Sequence, residues 1–175
     1  MNYATVKTKN GYQADEVISA LQKEIRRGRI EDAAYWAYEM IISELEEKLW
    51  SRLATIAVED VGLADPQAGV VIATLRAAYF GFPAGRTDRF LYGLMAAVYL
   101  ASAPKDRLAD ELYHCLKQGL LGKKEIPDYA LDKHTARGRA LGRGDDHFWT
   151  ESSAIAQERP GRDRRYLDLL RKKSG

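Results

Sequence analysis

The chain has 175 residues, 46% apolar and 30% charged, with a formal net charge of +2. That balance excludes a disordered or fibrous chain, and the length suits one domain or a domain with a tail. A single cysteine, Cys115, excludes an intrachain disulfide and a cysteine-built zinc site, and no apolar run approaches the ~20 residues that cross a bilayer.

The opening MNYATVKTKNGYQAD has no apolar stretch, so it does not read as a signal peptide, and the expected location is the cytoplasm. Residues 14–27 place Val17, Ile18, Leu21 and Ile25 on one helical face, with Gly28 as the C-cap. Residues 30–42 place Ile30, Ala33, Ala34, Ala37, Met40 and Ile41 at helical spacing, with Glu31 and Asp32 in the first turn, where the helix dipole favours them. Ser43 followed by Glu46 has capping-box spacing and predicts a third helix from there. It carries Leu45, Leu49, Leu53, Ile56 and Ala57 and ends near Gly62. Asp65-Pro66 predicts the next start, Asp as N-cap and Pro at the first helical position, for a helix that reaches Phe80 and stops at Gly81. Thr87 is placed to cap a helix over residues 88–103 that is apolar nearly all round, which predicts a central position in a bundle. Pro104 breaks it, and a sixth helix follows over about residues 105–118. Strand-like alternation is absent and the connections are short. The expected fold is all-α: a bundle of about six helices over residues 12–120, followed by a basic, partly irregular C-terminal extension over residues 121–175.

Charge is unevenly placed. Residues 1–122 hold 14 basic and 16 acidic side chains, whereas residues 123–175 hold 13 and 9. The extension contains DYALDKHTARGRALGRGDDHFW, in which Gly138, Gly142 and Gly144 are interleaved with Arg137, Arg139 and Arg143, and Lys133 precedes them. Arginine pairs bidentately with phosphate and glycine leaves backbone amides approachable, so Lys133, Arg137, Arg139 and Arg143 are candidate phosphate or nucleic-acid ligands. The same arginines equally read as partners of Asp128, Asp132, Asp145 and Asp146. His134 and His147 have aspartates nearby, which admits a small enzyme acting on a phosphorylated ligand; surface histidines fit as well. A helix over His147–Ala156 capped by Asp145 or Asp146, and an amphipathic segment RDRRYLDLLRKK with Tyr166, Leu167 and Leu170 on one side, complete the extension. Cys115 reads as a small buried residue of the sixth helix.

Three pieces of the body, KEIRRGRIEDAAYWAYEMI, RLATIAVEDVGLADPQA and AVYLASAPK, resemble in order and spacing the C-terminal region of the RarA/MgsA family. That family comprises AAA+ ATPases related to clamp loaders that act in replication-fork maintenance and recombination. The resemblance covers residues 12–118. Its motif residues are Glu59, Asp60, Gly62, Asp65 and Pro66, with Pro104 and Lys105. Glu59 and Asp60 also invite a reading as a site for a partner's arginine or a cation. The chain contains no Gly-x-x-x-x-Gly-Lys-Ser/Thr segment, so the family's ATPase activity is not carried over and no cofactor is expected. The resemblance implies a non-enzymatic assembly module: a homo-oligomer, most simply a tetramer, working with DNA or with a separately encoded AAA+ ATPase, and not with a membrane.

Overall fold

Among the described residues, 2–174, every regular element of the computed structural model is helical, apart from one isolated antiparallel bridge between Lys7 and Gln13. No helix there is long and apolar enough to cross a membrane. Two units make up the chain, Met1–Leu121 and Gly122–Gly175.

The first unit holds α1 (Ala14–Arg26), α2 (Ile30–Ile42), α3 (Glu46–Ile56), α4 (Ala68–Gly81), α5 (Phe90–Ser102) and α6 (Leu108–Lys117). Most of the apolar stripes read from sequence bury: Val17, Ile18, Leu21 and Ile25 from α1, Ala33, Ala37, Met40 and Ile41 from α2, Leu49, Leu53 and Ile56 from α3; Ile30, expected on the α2 stripe, stays 43% exposed at the start of that helix. Trp50 and Tyr79 meet edge to face at 5.4 Å in the middle of this core, and the Arg89 guanidinium lies over the Tyr79 ring. Burial and the neighbouring Glu46 carboxylate push the Tyr79 phenol up to about 12.

α5 packs on each of α1 to α4. It does so through small residues, Gly93, Ala96, Ala97 and Ala101, which let the neighbouring backbones come close. A Cβ on Gly93 would stand 2.9 Å from the Ile41 side chain. The larger residues Leu91 and Met95 point outward, at 68% and 59% exposure. The expected central position is thus the one α5 takes; its small face carries the packing, and one apolar strip stays open.

Several expected caps are also replaced. Ser43 ends α2 and does not start α3; its hydroxyl accepts from the Lys9 amide at 2.9 Å, and Glu44 takes a positive φ of 59°. Thr87 opens a single 3-10 turn, Thr87–Arg89, with no side-chain cap. Asp65 folds the chain into an Asx turn, accepting from the Gln67 amide at 3.1 Å, and α4 begins at Ala68, beyond Pro66. Cys115 is half-buried, because no residue of α6 is buried.

A feature that the sequence reading left unassigned is the hairpin-like loop over residues 7–13. Thr8 and Tyr12 bond across it, and the buried Glu39 carboxylate of α2 accepts from the Asn10 amide at 3.0 Å and from Asn10 Nδ2 at 2.6 Å.

The second unit carries α7 (Ala136–Ala140), α8 (Asp145–His147), which continues into a π turn over Phe148–Ser152, and α9 (Arg165–Ser174). The helical turn thus starts two residues earlier than the expected His147–Ala156 helix and ends earlier, at Ser152. Leu167 and Arg171 of α9 are half-buried, and Arg171 Nε donates to the Trp149 carbonyl at 2.9 Å; Tyr166 is exposed, which corrects its expected place beside Leu167.

Candidate functional site

The Glu59–Pro66 segment starts where α3 ends. The chain widens there into a π turn, Ala57–Val61, followed by a 3-10 turn, Gly62–Ala64. The π turn rotates Asp60 inward until none of it is exposed. A buried carboxylate needs charge and hydrogen bonds around it. Arg26 supplies both, donating from Nε to Asp60 and from NH2 to Glu59 at 2.9 Å. Gln22, one turn earlier on α1, donates to both carboxylates, and Arg107 stands 3.6 Å from Asp60 and 3.8 Å from Glu59. Arg52 of α3 donates to Gln22 at 2.9 Å. The hydrogen bond to Asp60 holds the Arg26 guanidinium above its usual range. The arginines that answer Glu59 and Asp60 therefore belong to the chain itself, which corrects the reading of these carboxylates as a partner's cation site. Among the described residues no group of three metal-ligating side chains forms.

The remaining motif residues have equally local reasons. Gly62 takes φ +55°, and a Cβ there would lie 2.2 Å from the Asp106 carbonyl oxygen. That approach lets the Asp106 amide donate to the carbonyls of Asp60 and Val61 at 3.0 and 3.2 Å. Asp65 also accepts from the Tyr99 hydroxyl, which raises the phenol's pKa. Pro104 forces Ala103 into an extended conformation and ends α5. The Lys105 ammonium turns back onto the carbonyls of Ala101 and Ala103, the unsatisfied C-terminal acceptors of α5, and burial lowers its pKa.

Beside this knot lies an apolar groove of about 320 Å³ whose lining includes Val58, Leu63, Pro66, Gly69 and Leu108. Its charged lining residues are two carboxylates, Asp65 and Asp106. α6 continues the apolar surface, with Leu108, Leu112 and Leu116 all exposed.

Within the second unit, most of the candidate phosphate ligands have partners. Lys133 pairs with Asp145 and lies over the Phe148 ring at 4.8 Å. Arg139 donates to the Lys133 carbonyl at 3.1 Å. Arg143 donates to the Asp128 carboxylate at 2.6 Å and to the carbonyls of Asp128 and Leu131. Arg143 and Lys133 hold the Asp128 and Asp145 carboxyls below their ordinary range, and His134, 3.1 Å from Asp132, does the same there. His147 faces the Ser152 hydroxyl at 3.3 Å. Arg137 is exposed and makes no side-chain hydrogen bond or ion pair among the described residues; it lines a recess of about 600 Å³ with Lys123, Lys124, Glu125 and Ile126. Gly138 sits inside α7, where a Cβ would collide with the Asp132 carbonyl at 2.0 Å, and Thr135 caps that helix through the Gly138 amide. Its glycine character is spent on packing.

Sequence reading missed Gln22, Arg26, Arg52 and Arg107, and also Lys123 and Lys124. Gln22 and Arg26 are one turn apart on α1, but they are more than thirty positions from the carboxylates they hold, so no local pattern joins them.

The architecture defines a class first: an all-α bundle with a charged knot at a helix–π-turn–helix junction and a short helical appendage. The chain belongs to the MgsA AAA+ ATPase C-terminal family, whose model matches residues 28–159. The likeness thus runs beyond residue 118 into the second unit. The Replication-associated recombination protein A of Bacillus subtilis is 34% identical over 145 residues, covering 79% of this chain and 33% of the relative. The protein of that name from Escherichia coli K12 is 32% identical over 148 residues, covering 81% and 32%. The ATPase WRNIP1 of Dictyostelium discoideum is 32% identical over 158 residues, covering 85% of this chain and 18% of its own length. The chain spans about a third of the length of the two bacterial relatives. The match is to the helical C-terminal region, not to a nucleotide-binding module.

Proposed function

We propose that this chain is a non-enzymatic assembly module that forms a homo-oligomer, most simply a tetramer, and serves complexes of replication-associated recombination. One observation carries the reading. α6 is amphipathic, none of its residues is buried, and Leu108, Leu112 and Leu116 form an exposed apolar stripe. A stripe of that kind on a helix normally marks a surface that another molecule covers. The charged knot supports the reading differently: Glu59 and Asp60 are consumed in holding α1, the π turn and Arg107 together, so the motif positions α6 and leaves no free catalytic pair. Light scattering at micromolar concentration should give a multiple of 19.7 kDa. A particle of 19.7 kDa throughout would end the proposal.

A second reading, contact with nucleic acid through the tail, is favoured by the recess of Lys123, Lys124 and Arg137. With Lys133, Arg139 and Arg143 engaged internally, about three phosphates are within its capacity, for a log–log salt slope of about −3 on duplex DNA. Reversing Lys123, Lys124 and Arg137 together should abolish retardation of DNA at low salt, whereas Arg143→Ala should instead loosen the tail. No retardation by the wild type at low salt removes this reading.

A further inference from the structure

We infer that the groove beside the Glu59–Pro66 turn is the seat of α9 from a second copy of this chain. The inference rests on the assembly reading and names the surfaces it uses.

Gly69 is the first observation. It lies in the first turn of α4, where glycine costs helix stability relative to alanine. Its φ is not positive, and a Cβ there would meet nothing within 4 Å. Neither conformation nor internal packing calls for glycine, in contrast to Gly62, Gly93 and Gly138, each of which faces a close neighbour. The open space above Gly69 belongs to the groove. Gly69 lines the groove and is itself exposed, so glycine there leaves the space beside it open to a large side chain from outside.

The groove's chemistry selects the occupant. Its walls are apolar, with Val58, Leu63 and Leu108 each more than 60% exposed, and its charged residues are the carboxylates Asp65 and Asp106, with no basic residue among the lining. A volume of about 320 Å³ is at the low end for a ligand pocket, about 300 to 1,000 Å³. It suits one or two large side chains. The fitting segment is a helix with an aromatic or leucine anchor between basic residues.

α9 has that composition. Leu167 and Arg171 turn toward the Phe148–Ser152 side, leaving Tyr166 and Leu169, one turn apart, at 67% and 61% exposure. Arg165, Lys172 and Lys173 flank them and are exposed; Arg165 pairs with Asp163, Asp168 is the one acid of the helix, and Lys172 and Lys173 supply the basic end. The charge of the two segments is complementary: residues 1–122 carry two more acids than bases, and residues 123–175 carry four more bases than acids. Reciprocal exchange, each copy seating the other's α9, gives a closed two-fold pair, the unit from which dihedral tetramers are built.

Full-length protein tests this in two ways. Gly69→Trp puts an indole into the groove from its lining, and Leu169→Asp removes the anchor; each should raise the dissociation midpoint of the assembly about tenfold or more, as loss of a buried anchor does. Circular dichroism and the melting curve of Gly69→Trp should match the wild type. Independently, in a Cys115→Ser background, Gly69→Cys and Leu169→Cys chains are mixed under mild oxidation. A linked species of two chains, formed in the mixture and not by either variant alone, is expected. Unchanged association in both variants overturns the inference while leaving the assembly reading intact. Disruption by Gly69→Trp but not by Leu169→Asp means another occupant and overturns it too. A third chain, carrying both Gly69→Cys and Leu169→Cys, that links only within itself while the mixture gives no linked pair means that α9 docks in its own copy, again overturning it. A wild type that is monomeric throughout removes the assembly reading itself and the inference with it.

Discussion

Gly62 and Gly69 sit seven positions apart and answer to opposite demands. Gly62 is required twice, by its positive φ and by the Asp106 carbonyl that would lie 2.2 Å from a Cβ. Gly62→Ala should destabilise the first unit by about 2–3 kcal/mol. The substitution also pushes Asp106 away, so the loss should reach α6. Gly69→Ala meets nothing and should stabilise by about 0.5 kcal/mol or a little more. Urea denaturation of the two variants beside the wild type checks both signs; a Gly62→Ala protein as stable as the wild type would remove the close approach as the reason for the glycine. Lys105 makes a third case at this scale. Its motif neighbour Pro104 was readable as a helix stop, but the lysine's own part, satisfying the last carbonyls of α5, depends on the chain turning back after the proline.

At the scale of elements, periodicity located the helices well and their ends less well. The predicted stripes of α1 and α3 bury, because burial of a stripe is what spacing encodes, but Trp50, off the predicted α3 stripe, buries fully with them. The ends were set by partners far along the chain. Ser43 had the spacing of a cap, yet the loop over residues 7–13 takes its hydroxyl. Asp65 had the identity of a cap, yet it is shared between the Gln67 amide and the Tyr99 hydroxyl. The central place of α5 was legible from its apolar perimeter, but not which side packs closest; Gly93, Ala96 and Ala97 decide that face. The same limit hid the charged knot, whose two halves are legible only after α1 and the π turn lie side by side. The loop over residues 7–13 gives a pH dependence at this scale. Burial opposes the charge on Glu39, but hydrogen bonds from Thr8 and Asn10 and the charge of Lys9 outweigh it, and its pKa falls below the ordinary glutamate value. A carboxyl with a depressed folded-state pKa stabilises fully above its unfolded value, and that contribution disappears as pH drops through the folded value. The loop should therefore be pinned at neutral pH and released on acidification below the carboxylate range. Glu39→Gln should cost about 1–2 kcal/mol at neutral pH, since an amide presents a donor where Asn10 already donates. The gap from the wild type should shrink in acid, which denaturation at both pH values measures.

For the whole molecule, the division into two units governs how the chain comes apart. Residues 116–130 are exposed throughout, and the stretch contains Gly119 and Gly122 at positive φ together with Lys117, Lys123 and Lys124. Trypsin should cut there first, leaving the six-helix unit protected, as expected of a segment with no buried side chain. Initial cleavage at Arg26 or Arg52, both held in the charged knot, would contradict this placement of the core. The three tryptophans are distributed in a way that has a spectroscopic consequence. Trp50 is sealed in the bundle against Tyr79, Trp36 stands half-exposed between the rings of Tyr12 and Tyr35, and Trp149 belongs to the tail, beside Phe148 and Lys133. Trp50 should emit furthest to the blue. In variants that keep one indole at a time, Trp149 fluorescence reports the melting of the tail, and Trp50 fluorescence that of the bundle. The two curves measure, without any added label, how far one unit's stability depends on the other's.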